Sequence, residues 1–296
     1  MTAVLYDVPG PRARTRYRLL GVLGTLALLA IFGFVIYRLA AAGQFSPRVW
    51  EWIQYKAIQL LLLDALWNTL RAFAVAAFLS LVFGAVFAAG RLSDHAWVSR
   101  PATVVVEFFR AIPLLILIFI LFFGLTQGAG IQITAFWAVV LGLMLYNGSV
   151  LAEIFRAGVA SLPRGQSEAA YGLGMRKSHV MTYVLLPQAV RAMLPTIISQ
   201  LVVVLKDTAL GFLILYPELL YQARYLGGQG QLGSPILPVA IVIAAIYITM
   251  CLLLSWLANV LERRSRRSGK AHPDAAVADP EAPAPAPEPV GTSATG

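Results

Sequence analysis

Long apolar runs, separated by short polar links, dominate the pattern along this chain. No charged residue falls between Leu19 and Tyr37. A second run covers about Asp64 to Gly90 and is uncharged between Arg71 and Arg91. Pro101 opens a third, strongly apolar from Ala111 to Phe123, and a fourth covers about Thr134 to Ala157. The fifth runs from Val184 to Lys206 and the sixth from Pro235 to Leu261. A spanning helix needs about 20 mostly apolar residues. The pattern therefore predicts an all-α polytopic transmembrane bundle of about six spans. Between the first two spans, Trp50, Trp52 and Tyr55 suit an interfacial segment, where aromatic rings sit at headgroup level. Thr126 to Gly130 reads as a glycine-rich turn. The apolar patch Ala209 to Tyr216 is too short to cross and predicts a short helix packed against the bundle or at the interface.

Composition agrees. The 296 residues are 59% hydrophobic and 12% charged, against roughly 25% charged in a soluble domain. Charge placement then orients the chain. Arg12, Arg14, Arg16 and Arg18 precede the first span, and Arg263, Arg264, Arg266, Arg267 and Lys270 follow the last. With the N-terminus inside, the cytoplasmic segments are 1–18, 91–100, 158–191 and 262–296. They collect most of the Lys and Arg, whereas the outer segments 43–63 and 207–234 hold only Arg48, Lys56 and Arg224. That asymmetry is the positive-inside pattern, and it puts both termini in the cytoplasm of a multi-pass cell-membrane protein. Basic clusters also suit nucleic acid, but no aromatic-interleaved soluble module accompanies them.

The resulting organisation is a basic N-terminus (1–18), a first anchor (19–42), an external interfacial segment (43–63), a transmembrane domain (64–261) with a cytoplasmic loop at 158–183, and a tail (262–296). A cleaved signal peptide is the rival reading of the first segment, but the apolar run exceeds the usual signal core of roughly 7–15 residues. From Ala271 onward the chain is rich in Ala, Pro and Glu and is expected to be disordered. Cys251 is the single cysteine, so no internal disulfide forms. His95, His179 and His272 show no ligand spacing, and no metal site is expected.

The 158–183 loop is the longest polar stretch inside the hydrophobic region. Pro163 suits a first helical turn, and Ala169, Ala170 and Leu173 are expected on one small apolar face. Gly174 can adopt the left-handed conformation that ends a helix, and Ser178 can cap the next helix. The expected object is a short helix across the cytoplasmic face, shaped either to enter a partner's groove or simply to connect two spans.

Glu168-Ala169-Ala170, three residues, Gly174, nine residues, then Val184-Leu185-Leu186-Pro187 resembles the EAA motif of ABC-importer permeases. Glu168, Ala169, Ala170, Gly174, Leu186 and Pro187 match in type and spacing, and Val184 stands where the motif has Ile. Ala152 to Gly158, Leu162 to Gln166, Asn68-Thr69-Leu70, Phe109 to Leu115 and Leu205 to Thr208 are similar to the polar amino acid permeases of type I importers. The resemblance covers about residues 64–260. The additional first span and short tail most resemble glutamate-type permeases.

The resemblance implies a type I ABC-importer transmembrane domain. Its partners would be a second permease subunit, identical or related, a dimer of ATP-binding subunits on the cytoplasmic loops, and an external amino-acid-binding protein. Glutamate, glutamine, arginine and histidine permeases share these motifs. The chain has no Gly-x4-Gly-Lys-Ser/Thr phosphate loop, so no enzyme activity and no cofactor of its own are expected, and ATP would be bound by the partner. Glu168 would make charge-assisted contacts to the ATPase or back to the loop backbone. Gly174 would supply a bend, and Gly174→Asp would abolish uptake.

Ionisable residues inside spans are functional candidates by default. Glu107 with Arg110, and Glu153 with Arg156, are three apart and can pair on one helix face; both read as structural ion pairs. Arg71, near the outer end of the second span, is the candidate cation for an anionic solute, and snorkelling to the headgroups is its alternative. Lys206 and Asp207, at the end of the fifth span, are candidate gate or pathway residues. An ion-coupled secondary transporter would place carboxylates near the midplane within an inverted repeat. Here the carboxylates sit near span ends and no such repeat is visible.

Overall fold

A computed structural model describes residues 10–267 of the chain. The tail from 268 onward, including the segment expected to be disordered, lies outside the described residues. α1 (Pro11–Ala41) is followed by a 3-10 segment (Pro47–Gln54), α2 (Lys56–Arg91), α3 (Ala96–Ala111) and α4 (Leu114–Phe119), which runs on as a π-helix (Ile120–Gly128). α5 (Ala135–Ala160), the short α6 (Arg164–Gly172) and a single turn α7 (Lys177–His179) come next. A π segment (Val180–Leu185) leads into α8 (Leu186–Asp207), then a 3-10 turn (Thr208–Ile214), α9 (Leu219–Gly227) and α10 (Ile236–Arg267).

Five of these helical runs are long and apolar enough to cross a membrane, and a bent pair makes a sixth. The third span is the one that departs from expectation. Its two halves, α3 and α4 with its π extension, meet at 98°. Ile112 is extended (φ −86°, ψ 126°) because the ring of Pro113 disfavours helical backbone in the residue before it. The helix must stop there and restart in a new direction.

α2 and α5 form the centre. They approach closely because both carry small residues at the crossing: a Cβ on Gly84 would stand 2.8 Å from Leu151 Cβ, and one on Gly148 would stand 2.8 Å from the Phe83 ring. Small residues are what bring spanning helices together where lipid offers no hydrophobic drive. Ala72, Ala76, Ile118, Val139, Leu143 and Val204 share the main buried cluster. A second cluster joins Trp52, Ala65, Leu219, Leu226, Val239 and Ile243.

Trp52 is only 1% exposed, so the 43–63 segment is anchored inside the bundle through it, while Tyr55 stays exposed. Gln44 pins the same segment to the start of α10: its Nε2 donates to Ser234 O at 3.1 Å and its Oε1 accepts from Leu237 N at 3.0 Å. α2 begins at Lys56, earlier than the charge pattern suggested, because Gln59 Nε2 donates to Ile53 O at 2.9 Å and closes the entry turn. α1 buries no residue, and its apolar surface is presented outward along its whole length.

Candidate functional site

α6 is the short helix expected in the polar loop. Pro163 precedes it as N-cap, and Ser167 Oγ donates to Arg164 O at 2.8 Å. Its far end closes as a paired turn: Met175 N donates to Ala170 O at 3.2 Å and Gly174 N to Tyr171 O at 2.9 Å. Gly174 has φ +76°. This is the Schellman geometry that ends a helix with glycine in the left-handed position.

The faces of α6 differ from expectation. Ala170 is 5% exposed and packs inward, whereas Ala169 and Leu173 share the outer face, Leu173 at 83% exposure. Successive helical positions lie about 100° apart, so Ala169 and Ala170 cannot share a face while Ala169 and Leu173 do. Glu168 is exposed, and among the described residues no hydrogen bond or ion pair holds it; it makes no contact back to the loop backbone. Ser178 does not cap the next helix: it lies inside α7, with Arg176 at the N-cap position. Leu186 and Pro187 begin α8 directly after the π segment.

The two expected ion pairs exist and are joined by a residue that sequence spacing missed. Glu107 pairs with Arg110 at 3.1 Å and Glu153 with Arg156 at 2.6 Å. Arg91, at the end of α2, reaches Glu107 Oε1 at 3.3 Å and Glu153 Oε2 at 2.9 Å. Its side chain is 9% exposed. Five charges alternating in sign thus bind α2, α3 and α5 at the end of the bundle that carries α6. Close by, Lys177 pairs with Asp94, and its Nζ donates to Leu92 O at 3.2 Å.

Arg71 is exposed and lies against the neighbouring helices. Its Nε donates to Tyr216 Oη at 3.3 Å, and its guanidinium lies 5.0 Å from the Phe136 ring centroid. Tyr216 in turn donates to Asn68 O at 2.8 Å. Lys206 and Asp207 do not pair with each other: Lys206 is exposed, while half-buried Asp207 accepts from Asn147 Nδ2 at 3.5 Å. Asn147 is fully buried midway along α5 and accepts from Gln200 Nε2 at 2.7 Å. Asn147 and Gln200 were not singled out from the sequence; an amide in the middle of an apolar run was the available signal.

A second buried carboxylate had no such signal. Glu218, fully buried, caps α9 by accepting from Leu220 N at 2.7 Å and Tyr221 N at 2.6 Å, and Tyr247 Oη donates to it at 2.8 Å. A carboxylate at a helix N-terminus is favoured by the helix dipole. These bonds make Glu218 a brace for the turn that carries Tyr216, the partner of Arg71. Among the described residues no His, Cys, Asp and Glu group is arranged to hold a metal ion.

Residues 80–267 match the family model described as the binding-protein-dependent transport system inner membrane component. The chain is 39% identical to the glutamate transport system permease protein GluD of Corynebacterium glutamicum, over 83% of this chain and 89% of that one. It is 35% identical to a probable glutamine ABC transporter permease protein, GlnP, of Bacillus subtilis, over 68% of this chain and 92% of that one. Among solved structures, a chain of an amino acid ABC transporter superposes with a TM-score of 0.65 at 32% identity, covering 70% of this chain and 95% of that chain. The MetNI methionine ABC transporter, with a TM-score of 0.60 at 21% identity, shares the fold. With its broken third span, its helical bundle and these likenesses together, the chain belongs to the binding-protein-dependent inner membrane component family, as a permease subunit of a type I ABC importer for polar amino acids.

Proposed function

We propose that this permease forms part of the pathway of an ATP-driven importer of glutamate, and that α6 is where a separate ATPase docks. The likeness to GluD over 83% of the chain carries the choice of glutamate. Arg71 supports it: an exposed cation steadied by Tyr216 and Phe136 offers a carboxylate a charge-assisted partner. For docking, α6 presents Ala169 and Leu173 on its outer face with Glu168 exposed on the flank, and its last turn is locked by Gly174. A short helix with an exposed apolar face suits a groove on a partner.

On this reading the α6 end of the bundle is cytoplasmic, with both termini on that side. The lysine and arginine distribution supports that orientation. A second permease subunit completes the pathway, and an external binding protein delivers the solute. The chain itself carries no phosphate loop, so hydrolysis belongs to the ATPase dimer.

Competition uptake tests the substrate. Whole importer in proteoliposomes is supplied with labelled glutamate, and unlabelled glutamate, glutamine, arginine and histidine compete in turn. Glutamate is expected to compete best. Stronger competition by glutamine or a cationic amino acid would assign the pathway to that solute instead.

A further inference from the structure

We propose that Gln188 is a positioning residue that ties α6 to the π segment ahead of Pro187, so that displacement of α6 changes the winding of α8. The proposal rests on α6 being the ATPase-docking helix. One side-chain amide makes both connections. Gln188 Nε2 donates to Gln166 Oε1 on α6 at 3.3 Å and to Val184 O in the π segment at 2.8 Å. An amide nitrogen has two hydrogens and can serve both acceptors at once. Leucine at this position would serve neither, and asparagine is a methylene shorter.

The segment being held is an adjustable one. Pro187 has no N–H to give the preceding turn, and its ring crowds the carbonyl four residues back. The chain answers with wide turns over Val180–Leu185. Single π turns inside α-helices are uncommon and concentrate at functional sites. Shifting such a turn re-winds the helix beyond it by up to one residue, about 1.5 Å of rise.

There is room for that movement. A cavity of about 640 Å³ lies beside the segment, lined by Met181, Leu186 and Met193 on the moving side and by Ala88, Leu92 and Phe155 on the α2 and α5 side. Close-packed interiors resist such shifts, and an open volume beside the segment leaves room for one. The far end of α8 carries Gln200 and Asp207, both bonded to Asn147. Re-winding α8 therefore alters the polar cluster in the middle of the bundle.

The experiment measures glutamate imported per ATP hydrolysed by the complete importer in proteoliposomes, with labelled L-glutamate as probe, or glutamine should the wild type import that instead. Gln188→Leu is expected to lower this ratio about tenfold, the scale of losing two hydrogen bonds in one of two states. Gln166→Leu should lower it by a similar factor, since it cuts the same link at its α6 end. The pair Gln166→Glu with Gln188→Lys should restore the ratio to within about twofold of wild type, because the ammonium can reach both acceptors. A residue that only supports folding would change the amount of assembled complex, not the ratio.

An unchanged ratio in Gln188→Leu overturns the proposal, and so does a paired variant no better than Gln188→Leu alone. Gln166 is exposed, so its variant tests the link even if Gln188→Leu fails to assemble. Gly174→Val separates the two levels. If it uncouples and Gln188→Leu does not, only the role of Gln188 falls; if neither uncouples, the docking role of α6 falls as well.

Discussion

At Gly174 nothing lies within 4 Å of where a Cβ would stand, and φ is +76°. A side chain there is excluded by backbone conformation rather than by lack of space. Left-handed backbone costs an L-residue about 1–2 kcal/mol, with Asn and Asp best tolerated. That sets the order of damage: Gly174→Val should cost the loop about 1–2 kcal/mol and lower uptake at matched membrane abundance, whereas Gly174→Asp and Gly174→Asn should retain more of it. The sequence expectation that Gly174→Asp abolishes uptake is thus set against a backbone argument that predicts partial loss. Equal loss with all three would point to contact with a partner instead of backbone strain. Arg71 makes a second residue-level case. Its Nε is bonded to Tyr216 while the side chain stays exposed, so a pathway role and snorkelling to the headgroups make different predictions. Arg71→Ala should raise KM for glutamate about tenfold or more, as expected for a lost charge-assisted bond, while glutamine uptake changes less. Identical kinetics in the variant would leave Arg71 a packing residue.

Among the elements, the alternating chain Arg110–Glu107–Arg91–Glu153–Arg156 decides how α2, α3 and α5 are held. Two of its links were legible, since residues three apart on a helix face one another. Arg91 was not, because its partners lie 16 and 62 positions away, on helices whose packing only the tertiary fold sets. Arg91 is nearly buried while Glu107 and Glu153 keep solvent contact, so its removal leaves two partly hydrated carboxylates facing each other. Arg91→Ala should destabilise the bundle by about 1–3 kcal/mol, read as a lower Tm of the detergent-purified complex. A Tm within a degree of wild type would show that the i, i+3 pairs suffice. The third span teaches a related lesson. Apolar length alone suggested one crossing, but the Ile112-Pro113 step carried the local signal for its 98° break. In the same way Pro187 foreshadowed the irregular start of α8, while the face that α6 turns inward depended on what lay beneath it.

For the whole molecule, hydrophobic run lengths recovered the spans, because the bilayer imposes one length on each. They could not show that α1 stands apart with no buried residue, since lipid and protein neighbours are equally apolar. Nor could they show that Trp52 and Gln44 tie the segment after α1 to α9 and α10. The α6 loop was readable because its motif is local and its capping glycine has a fixed geometry; the polar cluster around Asn147 was not, because it joins α5 to α8 across the fold. The central proposal, that this chain moves amino acid only when a separate ATPase acts through α6, is tested most directly by one uptake experiment. Proteoliposomes hold the permease with its external binding protein, with or without the ATPase subunit, and labelled glutamate uptake is measured with and without internal ATP. Uptake should occur only where both ATPase and ATP are present. Uptake by the permease without the ATPase, driven by an imposed ion gradient, would contradict it.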